Sequence, residues 1–137
     1  IQKIAYLKRN PSLTRAQFYE HWEKTHGPLV IPFFEKHGVR TYQQIHASGT
    51  ILSNREGGEH KVIEFDGIAL NSWPSDKPFG EVFMDSYYKD VIAPDEGRLL
   101  DGQAVGGGIV ALFSGVSVGL VEDGRAVVTK EGGGKEG

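Results

Sequence analysis

Apolar and polar positions alternate with period two over the first eight residues, with Ile4, Tyr6 and Lys8 on one side and Ala5 and Leu7 on the other. That is the signature of a strand, and Asn10-Pro11-Ser12 stops it. The period then changes. Phe18, Trp22 and His26 recur every four residues behind Thr14, a residue suited to capping a helix N-terminus, so an amphipathic helix is predicted from there, which Gly27-Pro28 ends or kinks. Leu29 to Phe34 continues as a second short helix ending at His37-Gly38.

From Val39 to Ala47 period two returns, with Arg40, Tyr42, Gln44 and His46 on one face and Thr41, Gln43 and Ile45 on the other. Polar groups on both faces do not suit a strand packed simply on an apolar core, so one face is expected to line a wet cavity. The stretch 53–59 reads as a loop, and Lys61 to Ala69 as the next strand. Phe79, Val82, Phe83 and Tyr87 have helical spacing, Pro94 interrupts them, and Asp95 is placed to cap a short helix through Asp101. A β-branched, glycine-punctuated strand region spans Ile109 to Val121, and Glu122-Asp123-Gly124-Arg125 resembles a hairpin turn. The order β-α-β-β-α-β predicts an α+β, ferredoxin-like fold, with both helices on one face of an antiparallel sheet. The uncovered face calls for a second copy, hence a homodimer with two-fold symmetry.

Composition narrows the chemistry. The 137 residues suit one domain, taken as 1–121 with 122–137 as an extension. A formal charge of −3 provides no cationic field for nucleic acid or anionic lipid. Without cysteine there is no disulfide framework and no thiolate metal site. No run is long enough to span a bilayer, so a soluble cytoplasmic protein is expected. Glycine numbers 19, but only seven precede position 97. The excess therefore belongs to the C-terminal part, whose end, KEGGGKEG, reads as disordered.

The segment Leu13 to Val30 contains Phe18, Trp22, His26, Gly27, Pro28, Leu29 and Val30 in the order F-x-x-x-W-x-x-x-H-G-P-L-V. With Tyr42-Gln43-Gln44-Ile45-His46, Phe65-Asp66-Gly67-Ile68-Ala69 and Ala93-Pro94-Asp95-Glu96, it resembles the EthD family of dimeric α+β barrel proteins. The fuller set is most similar to the EthD proteins encoded beside fungal aromatic polyketide synthases. The resemblance implies cofactor-independent tailoring of an aromatic polyketide, with decarboxylation of an anthrone- or anthraquinone-type carboxylic acid as the leading reading. Cyclisation, dehydration, anthrone-type oxidation and a non-catalytic barrel that binds a hydrophobic ligand are the alternatives.

The candidate catalytic residues are His26, His46 and Asp66, and the candidate substrate-binding residues are Tyr6, Trp22, Tyr42, Gln44 and Phe83. A helix ending at His26 would favour its imidazolium, making it a proton donor. His46 would shuttle protons, Tyr42 and Gln44 would bind substrate oxygens, and Asp66 would orient a histidine or act as base. His21, His37 and His60 are read as structural. The five-residue spacing of His21 and His26 does not align two rings on an α-helix, so no metal is expected. The triple glycine at 106–108 lacks the features of a phosphate loop, and no cofactor is expected.

Overall fold

A computed structural model describes residues 1–52 and 62–127. The expected loop 53–59, His60 and the end of the tail fall outside them. Strand β1 (Gln2–Leu7) is central, flanked by β5 (Gly67–Ser72) and β6 (Ile109–Gly115), with β2 (Thr41–Ile45) beyond β5. The order β2-β5-β1-β6, antiparallel throughout, is the ferredoxin-like α+β arrangement, and the sheet is open rather than closed into a barrel.

Two departures from the sequence reading matter. The strand expected from Lys61 to Ala69 breaks at Asp66. Residues before the break form β4 (Val62–Phe65), which pairs with β3 (Gly49–Leu52) as a separate hairpin. Those after it enter the main sheet as β5. The second is in the first helix, where of the two outcomes expected at Gly27-Pro28, an end or a kink, the helix does not end. Helix α1 (Arg15–His21) runs through a π turn (Trp22–His26) directly into α2 (Gly27–Lys36). In the π turn the amide of Gly27 bonds the carbonyl of Trp22, five residues back. Pro28 has no N–H to continue an α-type ladder and its ring crowds the preceding turn; one extra residue in the turn relieves that crowding. The pattern repeats in the second helical layer. There α3 (Phe79–Val82) is followed by a π turn (Tyr88–Ile92) and α4 (Ala93–Leu99), with Pro94 just past the turn.

Local signals set the ends. Thr14 caps α1 reciprocally: its hydroxyl accepts from the Gln17 amide at 3.1 Å, and its own amide donates to the Gln17 side chain at 2.8 Å. At the other end of the chain, β7 (Val121–Glu122) and β8 (Arg125–Ala126) are joined by Asp123 and Gly124, with φ of 52° and 73°. Positive φ at both positions gives the turn that matches strand twist, as the Asp-Gly pair predicted.

Two apolar clusters separate helices from sheet. Leu7, Phe18, Trp22, Ala69, Leu99 and Leu100 form one; Val30, Phe33, Trp73, Val82 and Ile92 form the other. Phe18, Trp22, Ile92 and Leu99 are essentially solvent-free, and full burial of a side chain that size stabilises by about 1.5–3 kcal/mol. Gly67 is fixed by this packing, since a Cβ there would lie 2.6 Å from the Trp22 indole.

Candidate functional site

Between the clusters the sheet and helices leave a cavity of about 360 Å³, within the usual range for small-molecule sites. Its floor is the helix-facing side of the sheet: Lys3, Ala5 and Leu7 of β1, Ala69 and Asn71 of β5, Tyr42 of β2, and Leu112 of β6. Trp22, Phe33, Phe34, Phe79 and Phe83 supply aromatic walls, and His26, Tyr88 and Glu96 the ionisable groups on the helical side.

His26 is 6% exposed, and its Nδ1 lies 2.8 Å from Oδ2 of Asp95. Asp95 is itself 2% exposed, and Nε2 of His21 lies 2.9 Å from its other oxygen. Burial works against the Asp95 charge, but the hydrogen bonds and charges of the two histidines outweigh it and hold the carboxyl below its ordinary range. An ionised carboxylate only accepts, so His26 Nδ1 carries the hydrogen. That fixes the tautomer in which Nε2 has its lone pair free. The Nδ1 edge of the ring meets Asp95, which is not part of the cavity wall, and among the described residues none bonds Nε2.

The charge state expected for His26 is corrected here. Burial lowers its pKa, and the Asp95 contact only partly restores it. There is no helix end at His26 to stabilise an imidazolium, because the chain continues helically to Lys36. Both effects work against the imidazolium on which the proton-donor expectation rested. The spacing argument against His21 and His26 also fails for this chain. A π turn aligns positions five apart, and it brings both rings to one carboxylate. Among the described residues, no group of three or more metal-ligating side chains is arranged to hold an ion.

Glu96 follows Asp95 on α4 but faces the cavity. Burial pushes its pKa up, with Asp95 adding to the rise and the Tyr88 hydrogen bond opposing it. The Tyr88 hydroxyl donates to Glu96 Oε1 at 2.8 Å, and burial with that neighbouring carboxyl raises the Tyr88 pKa well above the ordinary phenol value. Asp95 and Glu96 were not among the expected catalytic residues. The signal was Ala93-Pro94-Asp95-Glu96 itself, two adjacent acids just inside a proline-initiated turn.

Of the other expected residues, Trp22, Tyr42 and Phe83 line the cavity. Gln44 stands behind Tyr42: its Nε2 donates to the Tyr42 hydroxyl at 3.0 Å and to the Trp22 carbonyl at 2.9 Å, tying β2 to the π turn. Burial raises the Tyr42 pKa, so the phenol stays protonated.

Three expectations are corrected by position. Tyr6 points to the opposite face of the sheet, since alternation along β1 puts Lys3, Ala5 and Leu7 on the cavity side; its ring meets Phe65 and Phe113 instead. His46 is exposed beyond the end of β2, stacked on Tyr19 at 4.7 Å and hydrogen-bonded to Gln44 at 2.9 Å, outside the cavity wall. Asp66 is 1% exposed but lies outside the cavity wall too. It accepts from the Arg9 amide at 3.0 Å and pairs with Arg15 at 3.1 Å, Arg9 at 3.3 Å and Lys8 at 3.7 Å. Burial opposes its charge, but these cationic partners and the amide prevail and lower its pKa. It is a structural anchor where the strand breaks. His37 is likewise structural, bonded to Asp85 at 2.9 Å.

Among the described residues, no helix is long and apolar enough to cross a membrane. No curated protein and no solved structure matches this chain. A family model described as the EthD domain matches residues 10–103, more than half of the sequence and the whole of the helical side of the cavity, and the chain belongs to the EthD family.

Proposed function

We propose that this protein is a cofactor-independent acid/base enzyme acting on a flat phenolic polyketide, and that its reaction is decarboxylation of an anthrone- or anthraquinone-type carboxylic acid. One observation carries the reading: a buried histidine with its Nδ1 held by Asp95 and its Nε2 without a partner among the described residues lines the same aromatic-walled cavity as Glu96, whose burial favours the protonated form. A base whose pKa burial lowers and an acid whose pKa burial raises, on one cavity, suit proton transfer at a phenolic ring.

In the proposed reaction His26 Nε2 takes the proton of a phenol beside the carboxylated carbon, raising electron density at that carbon. Glu96 delivers its proton there. The carbon–carbon bond to the carboxylate then breaks, its electron pair restores the aromatic ring, and carbon dioxide leaves. The phenolate regains its proton from the imidazolium, and Glu96 takes one from water. Tyr42, held by Gln44, stands as a donor to a substrate oxygen, and the aromatic walls hold the ring plane.

The second copy expected for the sheet also belongs to this proposal. The face opposite the cavity carries Phe113, which is 53% exposed, and Ile45, which is 39% exposed; both are covered when two chains meet there.

The test is incubation with an anthraquinone-type carboxylic acid, scoring loss of carbon dioxide by mass spectrometry. Wild-type turnover that disappears in His26→Gln, with the fold intact, supports the reading. Tight binding without turnover replaces it with a ligand-binding barrel, which the largely apolar lining would also serve. A dehydrated, cyclised or oxidised product would keep the site and change the reaction.

A further inference from the structure

Lys3 is the cation in the wall of this cavity among the described residues. It projects from the central strand, and its Nζ is 2.7 Å from the Ser114 hydroxyl on β6 and 4.3 Å above the Phe79 ring, itself part of the wall. Among the described residues no carboxylate lies within ion-pair distance of it, whereas Lys8, Lys36, Arg9, Arg15 and Arg98 each have one. A hydroxyl and an aromatic face steady the ammonium without neutralising it. The rest of the wall is overwhelmingly apolar, so an ammonium there is an attractive place for an anion.

The register fixes where that charge stands. Lys3 pairs with Asn71 on one side and Ser114 on the other, at the start of β1, whereas Leu7, at its far end, packs with Trp22 and Leu99. Asn71 also lines the cavity, and its side-chain oxygen already accepts from the Trp73 indole N–H, which leaves its amide N–H₂ as a further donor in the wall.

We infer that Lys3 is a specificity-determining residue that selects aromatic ligands carrying an acidic group, binding their carboxylate or phenolate at the β1 end of the cavity. This rests on the proposal that the cavity is the ligand site. It goes beyond it in naming the residue that reads the ligand's charge and the end of the cavity at which it does so.

The experiment is quenching of tryptophan fluorescence, since Trp22 and Trp73 both line the cavity, by an anthraquinone carboxylate and by its neutral hydroxymethyl analogue. Wild type is expected to bind the carboxylate about tenfold more tightly, as one charge-assisted contact at a partly open site would give, with the preference shrinking as salt rises. Lys3→Met should abolish the preference, the two probes then binding equally, and Lys3→Arg should retain it. Equal affinities in wild type, or a preference that survives Lys3→Met, overturn the inference while leaving the cavity as a binding site. If neither probe binds wild type, the cavity reading falls and the inference falls with it. A Lys3→Met protein that has lost both probes but melts like wild type would show a packing role and overturn the selectivity role.

Discussion

His26 and Asp95 are joined by a 2.8 Å hydrogen bond between two nearly solvent-free side chains, contributed by two helical layers 69 residues apart in sequence. The bond decides which nitrogen of His26 is available for chemistry. Asp95→Asn still fills the space, but its amide can present N–H as well as C=O to the ring, so the tautomer is no longer dictated. Turnover of the proposed substrate is expected to fall about 100-fold or more, while affinity for the neutral anthraquinone probe changes less than about threefold. Steady-state kinetics beside fluorescence titration separates the two; a parallel loss of both would assign Asp95 to packing.

The pH profile follows from the directions of two shifts. His26 is depressed below 6.5, so the base is already free at neutrality and the acidic limb of turnover should lie below that pH. Glu96 is raised above 4.5 and supplies the alkaline limb as its proton is lost. Glu96→Gln should remove the alkaline limb and leave the acidic one in place. An unchanged profile would show that Glu96 does not titrate in the rate-limiting step.

Stability has its own pH dependence. The unfolded chain protonates His26 near 6.5 and the folded chain resists, so stability should decline as pH falls below 6.5 toward the folded value. Asp95 and Asp66, both lowered from 3.8, add stability above that pH and lose it as pH falls through their folded values. Glu96 has the opposite sign, contributing fully below 4.5 and losing its contribution as pH rises through its raised value. Melting temperatures of wild type and His26→Gln from pH 7 to 5 should therefore converge on acidification. Parallel curves would contradict the depressed histidine.

Asp66→Ala tests the corrected role of that residue. It leaves Arg9, Arg15 and Lys8 without their shared carboxylate, and because these partners are partly exposed the loss should be moderate, about 1–3 kcal/mol in denaturant unfolding. Turnover per folded molecule should not change. A catalytic Asp66 would show the reverse pattern.

Gly67→Ala forces a methyl to 2.6 Å from the Trp22 indole and 3.2 Å from Phe18, and should cost about 1–3 kcal/mol with a rise in KM as Trp22 shifts in the cavity wall. A neutral outcome in chemical denaturation would mean that the indole has room the packing does not show.

Much of this was legible from local pattern. The Thr14 cap, the period-two strands and the Asp123-Gly124 turn each follow from side-chain chemistry within a few residues, and they give the ferredoxin-like order. Hidden features were those where a local rule had two outcomes. Gly27-Pro28 can end a helix or follow a π turn, and Phe18, Trp22 and His26 fit either up to the last residue. His21 was set aside by a four-residue rule that holds for α-helices alone. Asp66 looked available because strand alternation says nothing of Arg9 and Arg15, which converge on it from other elements. Asp95 resembled a cap because a polar residue near a helix start usually is one, and only the packing of α4 against the first π turn reveals its partners.

That π turn means the site depends on a count as well as on identities. Between Trp22 and Gly27 the helix holds one residue more than an α turn needs. Removing a single solvent-facing residue there, such as Lys24, would keep every side chain named in the chemistry and restore regular helix. It would also place His26 four residues after His21, the spacing that keeps two rings on one face of an α-helix, so both could still reach Asp95. Turn and spacing go together, five residues through a π turn doing what four do in a regular helix, so family members are to be compared by the length of this turn along with its letters.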